Sequence, residues 1–115
     1  MKGAVYWVDL TPHVGAEAGK VRPAVIVGVA GVIRAAIKRG YGVVTVVPLT
    51  KNTEHVWPFQ AVLPATITGL PHDSKAQAEQ LRAVDVGRLR DQIGMVPAEH
   101  MGAVDEAVLV HLGLD

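Results

Sequence analysis

The sequence contains no cysteine, which excludes a disulfide framework and any thiolate metal site and suits a reducing compartment. Aromatic residues are scarce as well, with two Trp, two Tyr and one Phe. An aliphatic core therefore has to carry the fold, and Tyr6, Trp57 and Phe59 are expected within it rather than as platforms for stacked bases. Formal net charge is zero, which on its own speaks against a nucleic-acid binder, because affinity for phosphate rests on Lys and Arg. No apolar stretch approaches the roughly 20 residues needed to span a bilayer. The longest uncharged run, Pro23 to Ile33, is closed by Arg22 and Arg34. Asp9 interrupts the N-terminal stretch before a signal-peptide core can form. A cytoplasmic protein without membrane attachment is expected.

What is present fits one globular domain over residues 1–115, with 50% apolar and 19% charged residues, a balance that excludes a disordered chain. The zero net charge hides an asymmetry. Residues 1–60 carry seven basic side chains (Lys2, Lys20, Arg22, Arg34, Lys38, Arg39, Lys51) against three acidic ones (Asp9, Glu17, Glu54), a balance of +4; residues 61–115 carry four against eight, a balance of −4. A basic face built by the N-terminal half is compatible with an anionic partner.

Val25, Ile26 and Val27 are β-branched, the composition of a buried strand. Pro23 belongs at such a strand's first position or on an edge, so Arg22 stands at the strand's entrance. A second strand, Tyr41 to Val47, runs into Pro48-Leu49-Thr50-Lys51-Asn52 and sets a hydroxyl, an ammonium and an amide just past its end. Two core strands with polar groups at one end can make a site. A first strand is expected over Ala4 to Leu10, ended by Thr11-Pro12. The following loop, His13 to Val21, holds a near miss of a phosphate-binding P-loop. It has too few residues between Gly15 and Gly19, and Val21 where Ser or Thr would meet magnesium, so nucleotide binding is rejected.

Gly28 to Gly40 reads as a connection with one helical turn, Ile33 to Lys38. Its cluster of Arg34, Lys38 and Arg39 is either a solvated linker or a flap over phosphates. Val56 to Leu63, with Trp57, Phe59, Ala61 and Leu63 on one face, reads as a strand that Pro58 demotes to an edge or bulge. Thr66 to Ser74 reads as a loop, Asp85 to Leu89 as a helical turn and Arg90 to Val96 as a short strand. Pro97 fits the first turn of a last helix with Met101, Val104, Val108 and Leu112 on its buried face and Gly113 as its stop. Asp105 and Glu106 point apart and read as a solvated face. His13, His55, His72, His100 and His111 have no ligand spacing, so no metal and no cofactor is expected.

In order along the chain, Gly3-Ala4-Val5-Tyr6-Trp7-Val8-Asp9-Leu10, Gly15-Ala16-Glu17, Arg22-Pro23-Ala24-Val25, Val46-Val47-Pro48-Leu49-Thr50, Trp57-Pro58-Phe59, Glu79-Gln80-Leu81-Arg82-Ala83-Val84-Asp85 and a closing helix resemble the MazF/PemK family of toxin endoribonucleases. The resemblance implies an α+β fold, a small SH3-like antiparallel β-barrel with a C-terminal helix, in which Lys75 to Val84 is a strand. It also implies the toxin of a type II toxin-antitoxin system, held by a cognate antitoxin. Such a protein is an mRNA interferase: a homodimer cleaving single-stranded RNA (mRNA, with tRNA or rRNA as further substrates) at particular sequences, without metal, through the 2′-hydroxyl.

By resemblance Arg22 and Thr50 are the active residues. Arg offers a fork of donors matched to phosphate oxygens, and a tethered 2′-hydroxyl needs no metal to react. Glu17 is the nearest candidate for a general base, or else a loop cap. Glu79 aligns with a carboxylate that acts in certain relatives, Gln80 and Arg82 resemble residues lining the RNA groove, and Lys20, Lys51 and Asn52 flank the active pair as RNA-binding residues. The chain departs from the family at Ala16, where some relatives carry His, and at Gly28-Val29-Ala30 and Ile33, where relatives are polar. Val29, Val32 and Ile33 are therefore expected to be buried at a dimer or antitoxin contact or under the last helix. A rival within the same fold is a gyrase-poisoning toxin, which acts on protein through its last helix; retention of Arg22 and Thr50 favours the nuclease.

Overall fold

The computed structural model describes residues 2–115. The chain runs β1 (Ala4–Asp9), β2 (Val21–Val27), α1 (Ala30–Arg39), β3 (Val43–Thr50), β4 (Gln60–Leu63), α2 (Ala65–Thr68), β5 (Ser74–Gln77), β6 (Arg82–Asp85), β7 (Leu89–Met95) and α3 (Ala98–Leu112), with 3-10 turns at Ala78–Gln80 and Val86–Arg88. All pairings are antiparallel, in the order β4-β5-β3-β2-β1-β7, and β6 also pairs with β3. The sheet is therefore a curled, barrel-like one whose ends stay unpaired, as expected for an SH3-like fold with a C-terminal helix.

Both faces of the central strands are buried, which explains the unbroken Val25-Ile26-Val27 run. Side chains alternate along a strand. Val25 and Val27 thus join Val47, Leu49, Ala76, Met101 and Val104 in the core beneath α3, while Ala24 and Ile26 join Val8, Val46, Val84, Ile33 and Ala36 in the core beneath α1. Each fully buried Val or Ile contributes about 1.5–3 kcal/mol. Pro23 sits third in β2 rather than first, opposite Trp7. It lies past Ala24, the last β2 residue paired with β3, so that side of the strand is locally an edge.

Several expected elements are corrected. Helix α1 is ten residues long rather than one turn: Ile33, Ala36 and half-buried Ile37 recur at helical spacing and supply its inner face, and Gly40 ends it at φ 65° with its N–H on the Ala36 and Ile37 carbonyls. The strand expected from Val56 shrinks to Gln60–Leu63, because Pro58 and Phe59 turn, with the Gln60 N–H donating to the Trp57 carbonyl at 2.9 Å. Trp57 is consequently 52% exposed, not a core residue. The loop from Thr66 holds a short helix, Ala65–Thr68. Lys75 to Val84 is two strands separated by the Ala78–Gln80 turn. On α3, Met101, Val104 and Ala107 are buried, but Leu112, the last helical residue, is exposed. Asp105 is not merely solvated, since it pairs with Lys2 at 2.9 Å.

Ile33 is buried beneath its own helix against the sheet, not beneath α3. Val29 and Val32 are exposed. Val29 borders a recess of about 650 Å³ shared with Val27, Val108 and Leu109.

Candidate functional site

The β1–β2 hairpin does not end in a tight turn. After Leu10, whose N–H donates to the Lys20 carbonyl at 2.8 Å, the chain makes a long loop that folds back before β2 begins. Asp9 fixes its start. The Asp9 carboxylate accepts from the Thr11 hydroxyl at 2.5 Å and the Thr11 N–H at 3.0 Å. Those bonds, with Arg90 and Arg88 nearby, hold its pKa below the usual carboxylate range. The anion's contribution is thus present at neutral pH and is lost only as pH falls through that lowered value. Lys20 closes the loop at φ 62°, a left-handed conformation uncommon for a residue with a side chain and more frequent at functional sites.

Arg22 follows directly. Its Nε donates to the Gly19 carbonyl at 2.9 Å, which orients the guanidinium, and the hydrogen bonds of the described residues leave both Nη atoms without a protein acceptor. The β2–β3 ladder ends at Ala24 and Pro48; Arg22 and Thr50 each lie two residues beyond that last pair. Pro48 falls where β3 changes partner, from β6 through Val46 to β5 from Leu49. The Thr50 hydroxyl accepts from the Asn52 N–H at 3.3 Å, bending the chain so that Lys51 and Asn52 turn back beside it.

Lys20, Arg22, Thr50, Lys51 and Asn52 border one open cleft of about 390 Å³. Its walls are apolar, with Trp7 and Pro23 on one side and Leu70 and Pro71 on the other. Sequence reasoning missed those walls. Trp7 could have been found from its place on the strand that flanks β2, whereas Leu70 and Pro71 arrive through sheet curvature that no local pattern encodes.

Glu17, Glu79, Gln80 and Arg82 gather elsewhere, around a second recess of about 320 Å³ under the loop. Here the Gln80 amide clasps the loop, accepting from the Ala18 N–H at 2.9 Å and donating to the Ala16 carbonyl at 3.1 Å. Arg82 donates to the Leu10 carbonyl at 3.3 Å. Glu79 accepts from the Gln60 amide at 2.7 Å, Gln60 in turn accepts from the Trp57 N–H, and the second Glu79 oxygen is buried without a partner. One Glu17 oxygen caps its own loop by accepting from the Val14 N–H at 2.7 Å. The expected site residues thus form two clusters joined by the β1–β2 loop. The turn at Ala78–Gln80 braces both loops of the site, one directly and one through Gln60. Among the described residues no three His, Asp or Glu side chains converge as a metal-ligand group.

A curled antiparallel sheet with an open cationic cleft at one end of its central strands, backed by a C-terminal helix, defines a class of small SH3-like β-protein. Residues 1–112 match the family of PemK-like, MazF-like toxins of type II toxin-antitoxin systems, and the chain belongs to that family. It is 47% identical over 113 residues to endoribonuclease MazF9 of Mycobacterium tuberculosis, covering 98% of this chain and 96% of that protein. It is 34% identical over 115 residues to endoribonuclease EndoA of Bacillus subtilis, covering 98% and 94%. Among solved structures it is similar to a MazE–MazF crystal structure from Deinococcus radiodurans, with a TM-score of 0.71, 25% identity, and 99% and 96% of the two chains covered.

Proposed function

We propose that this toxin is an endoribonuclease that cuts single-stranded RNA at particular short sequences, without metal, using the RNA's own 2′-hydroxyl as nucleophile. The observation that carries the reading is the Arg22 guanidinium, oriented through Nε and open at both Nη atoms, on the border of the same cleft as Thr50. The two relatives named as endoribonucleases support the activity.

In this mechanism the 2′-oxygen bonds to the adjacent phosphorus as the bond from phosphorus to the 5′-oxygen breaks, leaving a 2′,3′-cyclic phosphate and a 5′-hydroxyl. The nucleophile is already tethered, so reaction proceeds at high effective molarity. The protein's task is to stabilise charge gathering on the phosphoryl oxygens, which Arg22 does with its fork of donors and Thr50 with its hydroxyl. A base takes the 2′-hydroxyl proton and solvent protonates the departing 5′-oxygen; Glu17, whose loop-capping oxygen leaves the other free, lies at the second recess, so its loop has to bring it to the cleft to serve as that base. Lys20, Lys51 and Asn52 hold the flanking RNA, while Gln80 and Arg82 set the loop that carries Glu17. Glu79 acts through Gln60 on the β3–β4 loop.

The test is to incubate purified protein with a long single-stranded RNA in EDTA and map every new end. The expected result is a small set of cuts sharing one short sequence. Uniform degradation, or no cutting until a divalent metal is added, would contradict the reading.

The same reading includes a cognate antitoxin and a homodimer. An acidic segment that folds onto the basic cleft would block RNA by occupancy, and one of the similar structures is of a MazE–MazF complex. Val29, exposed beside the recess that α3 shares, and Val32, exposed on the first turn of α1, are expected to be covered by the second copy. Val32→Asp should therefore lower the apparent mass towards that of a monomer in size-exclusion chromatography with light scattering, while circular dichroism stays unchanged. An unaltered dimer would place the protomer contact elsewhere.

A further inference from the structure

Lys75 is a buried charge without a counter-ion. The residue is 9% exposed, and its ammonium donates to the His55 carbonyl at 2.6 Å. Both ion pairs of the described residues lie elsewhere, at Lys2–Asp105 and Arg90–Asp9. One carbonyl uses one of three ammonium donors, so the charge itself is uncompensated. Such a group costs stability until an anion reaches it, and an uncompensated cost of this kind is expected at functional positions.

Its place in the sheet indicates which anion. Lys75 is paired with Thr50 across β5 and β3, and Arg22 borders the same cleft as Thr50. Residues directly opposed in a sheet present their side chains on the same face, so Thr50 and Lys75 form one row, at whose Thr50 end Arg22 borders the same cleft. The β3–β4 loop, which begins at Lys51 beside the cleft, contributes the carbonyl that holds the ammonium. A single RNA strand laid across the row offers phosphodiesters in series.

We propose that Lys75 is a second phosphate-binding cation of the site, taking the phosphodiester next to the one engaged by Arg22 and Thr50. This rests on the reading that the protein binds and cuts RNA. The row shared with Thr50 of the phosphate-directed pair favours RNA over an acidic peptide, and it assigns Lys75 to binding rather than to the bond-breaking step.

The experiment measures binding of an uncleavable 2′-O-methyl RNA carrying the preferred cut sequence, across a range of salt concentrations, for wild type, Lys75→Met and Lys75→Gln. Both variants should weaken binding by about tenfold and lower the slope of log affinity against log salt by about 0.7, the value for one lost contact on a single strand. Lys75→Met should melt no lower than wild type, since it removes an uncompensated charge. Replacing the neighbouring phosphodiester by a neutral methylphosphonate should weaken wild type by the same factor and leave Lys75→Met with nothing further to lose. Full binding by Lys75→Gln, which can still donate to the His55 carbonyl, would reduce Lys75 to a loop pin and overturn the proposal. So would equal sensitivity of wild type and Lys75→Met to methylphosphonates at every position, or a loss confined to antitoxin binding. Failure of wild type itself to bind the RNA would overturn the RNA reading along with it.

Discussion

Arg22→Ala is expected to lower the single-turnover rate of RNA cleavage by about 10³, the upper scale for removing one oriented charge-stabilising donor, with little change in melting temperature. Arg22 is only half-buried and its one protein bond is local, to the Gly19 carbonyl, so its loss removes donors without opening a core cavity. Arg22→Lys should recover little: an ammonium is a point charge that cannot reproduce two parallel N–H donors, and its shorter reach ends near the carbonyl that now holds Nε. Thr50→Ala should cost about tenfold, as a neutral hydrogen bond does, because the hydroxyl orients a phosphate that Arg22 neutralises. Rapid-quench kinetics with enzyme in excess reads all three. An Arg22→Ala protein within tenfold of wild type would move the chemistry away from this cleft.

How far the sequence reveals this depends on whether a residue's neighbours are near it in the chain. The Val25-Ile26-Val27 run and Val44 to Val47 are legible as core strands because β-branched residues pack well on pleated surfaces, and the structure buries them on both faces. The stop of α3 at Gly113 is legible because a left-handed residue closes a helix. Helix α1 is obscured by Gly31 in its interior and by Val29 at its N-cap, where no side chain accepts a hydrogen bond. Only the spacing of Ile33, Ala36 and Ile37 gives it away. Trp57 looks like a core residue by type, but Pro58 breaks the strand that would have carried it inward.

The candidate site divides in the same manner. Arg22 and Thr50 are legible as polar groups at the ends of two apolar strands, and the antiparallel pairing of β2 and β3 brings those ends to one cleft. Gln80 could be placed near the site by resemblance, but its work, bracing Ala16 and Ala18 across 62 to 64 residues of sequence, is a property of the folded loop. Lys75 was hidden more thoroughly. Beside Ser74 and Gln77 it reads as an ordinary strand-surface lysine, and only the folded chain buries it, with the His55 carbonyl on its ammonium.

The central claim, that the nucleophile belongs to the RNA and the protein supplies charge stabilisation, predicts a second large effect. A single 2′-O-methyl or 2′-deoxy sugar at the cut position should abolish cleavage at that bond, because no oxygen remains that can attack the neighbouring phosphorus. Binding should remain close to that of the unmodified strand, since phosphate contacts persist. The most direct measurement is cleavage of a short RNA with one such sugar, beside its unmodified twin, in EDTA, with the product ends identified by mass spectrometry. The account predicts that the twin yields a 2′,3′-cyclic phosphate and a 5′-hydroxyl while the modified strand stays intact. Cleavage of the modified strand, or a 5′-phosphate on the product, would contradict it.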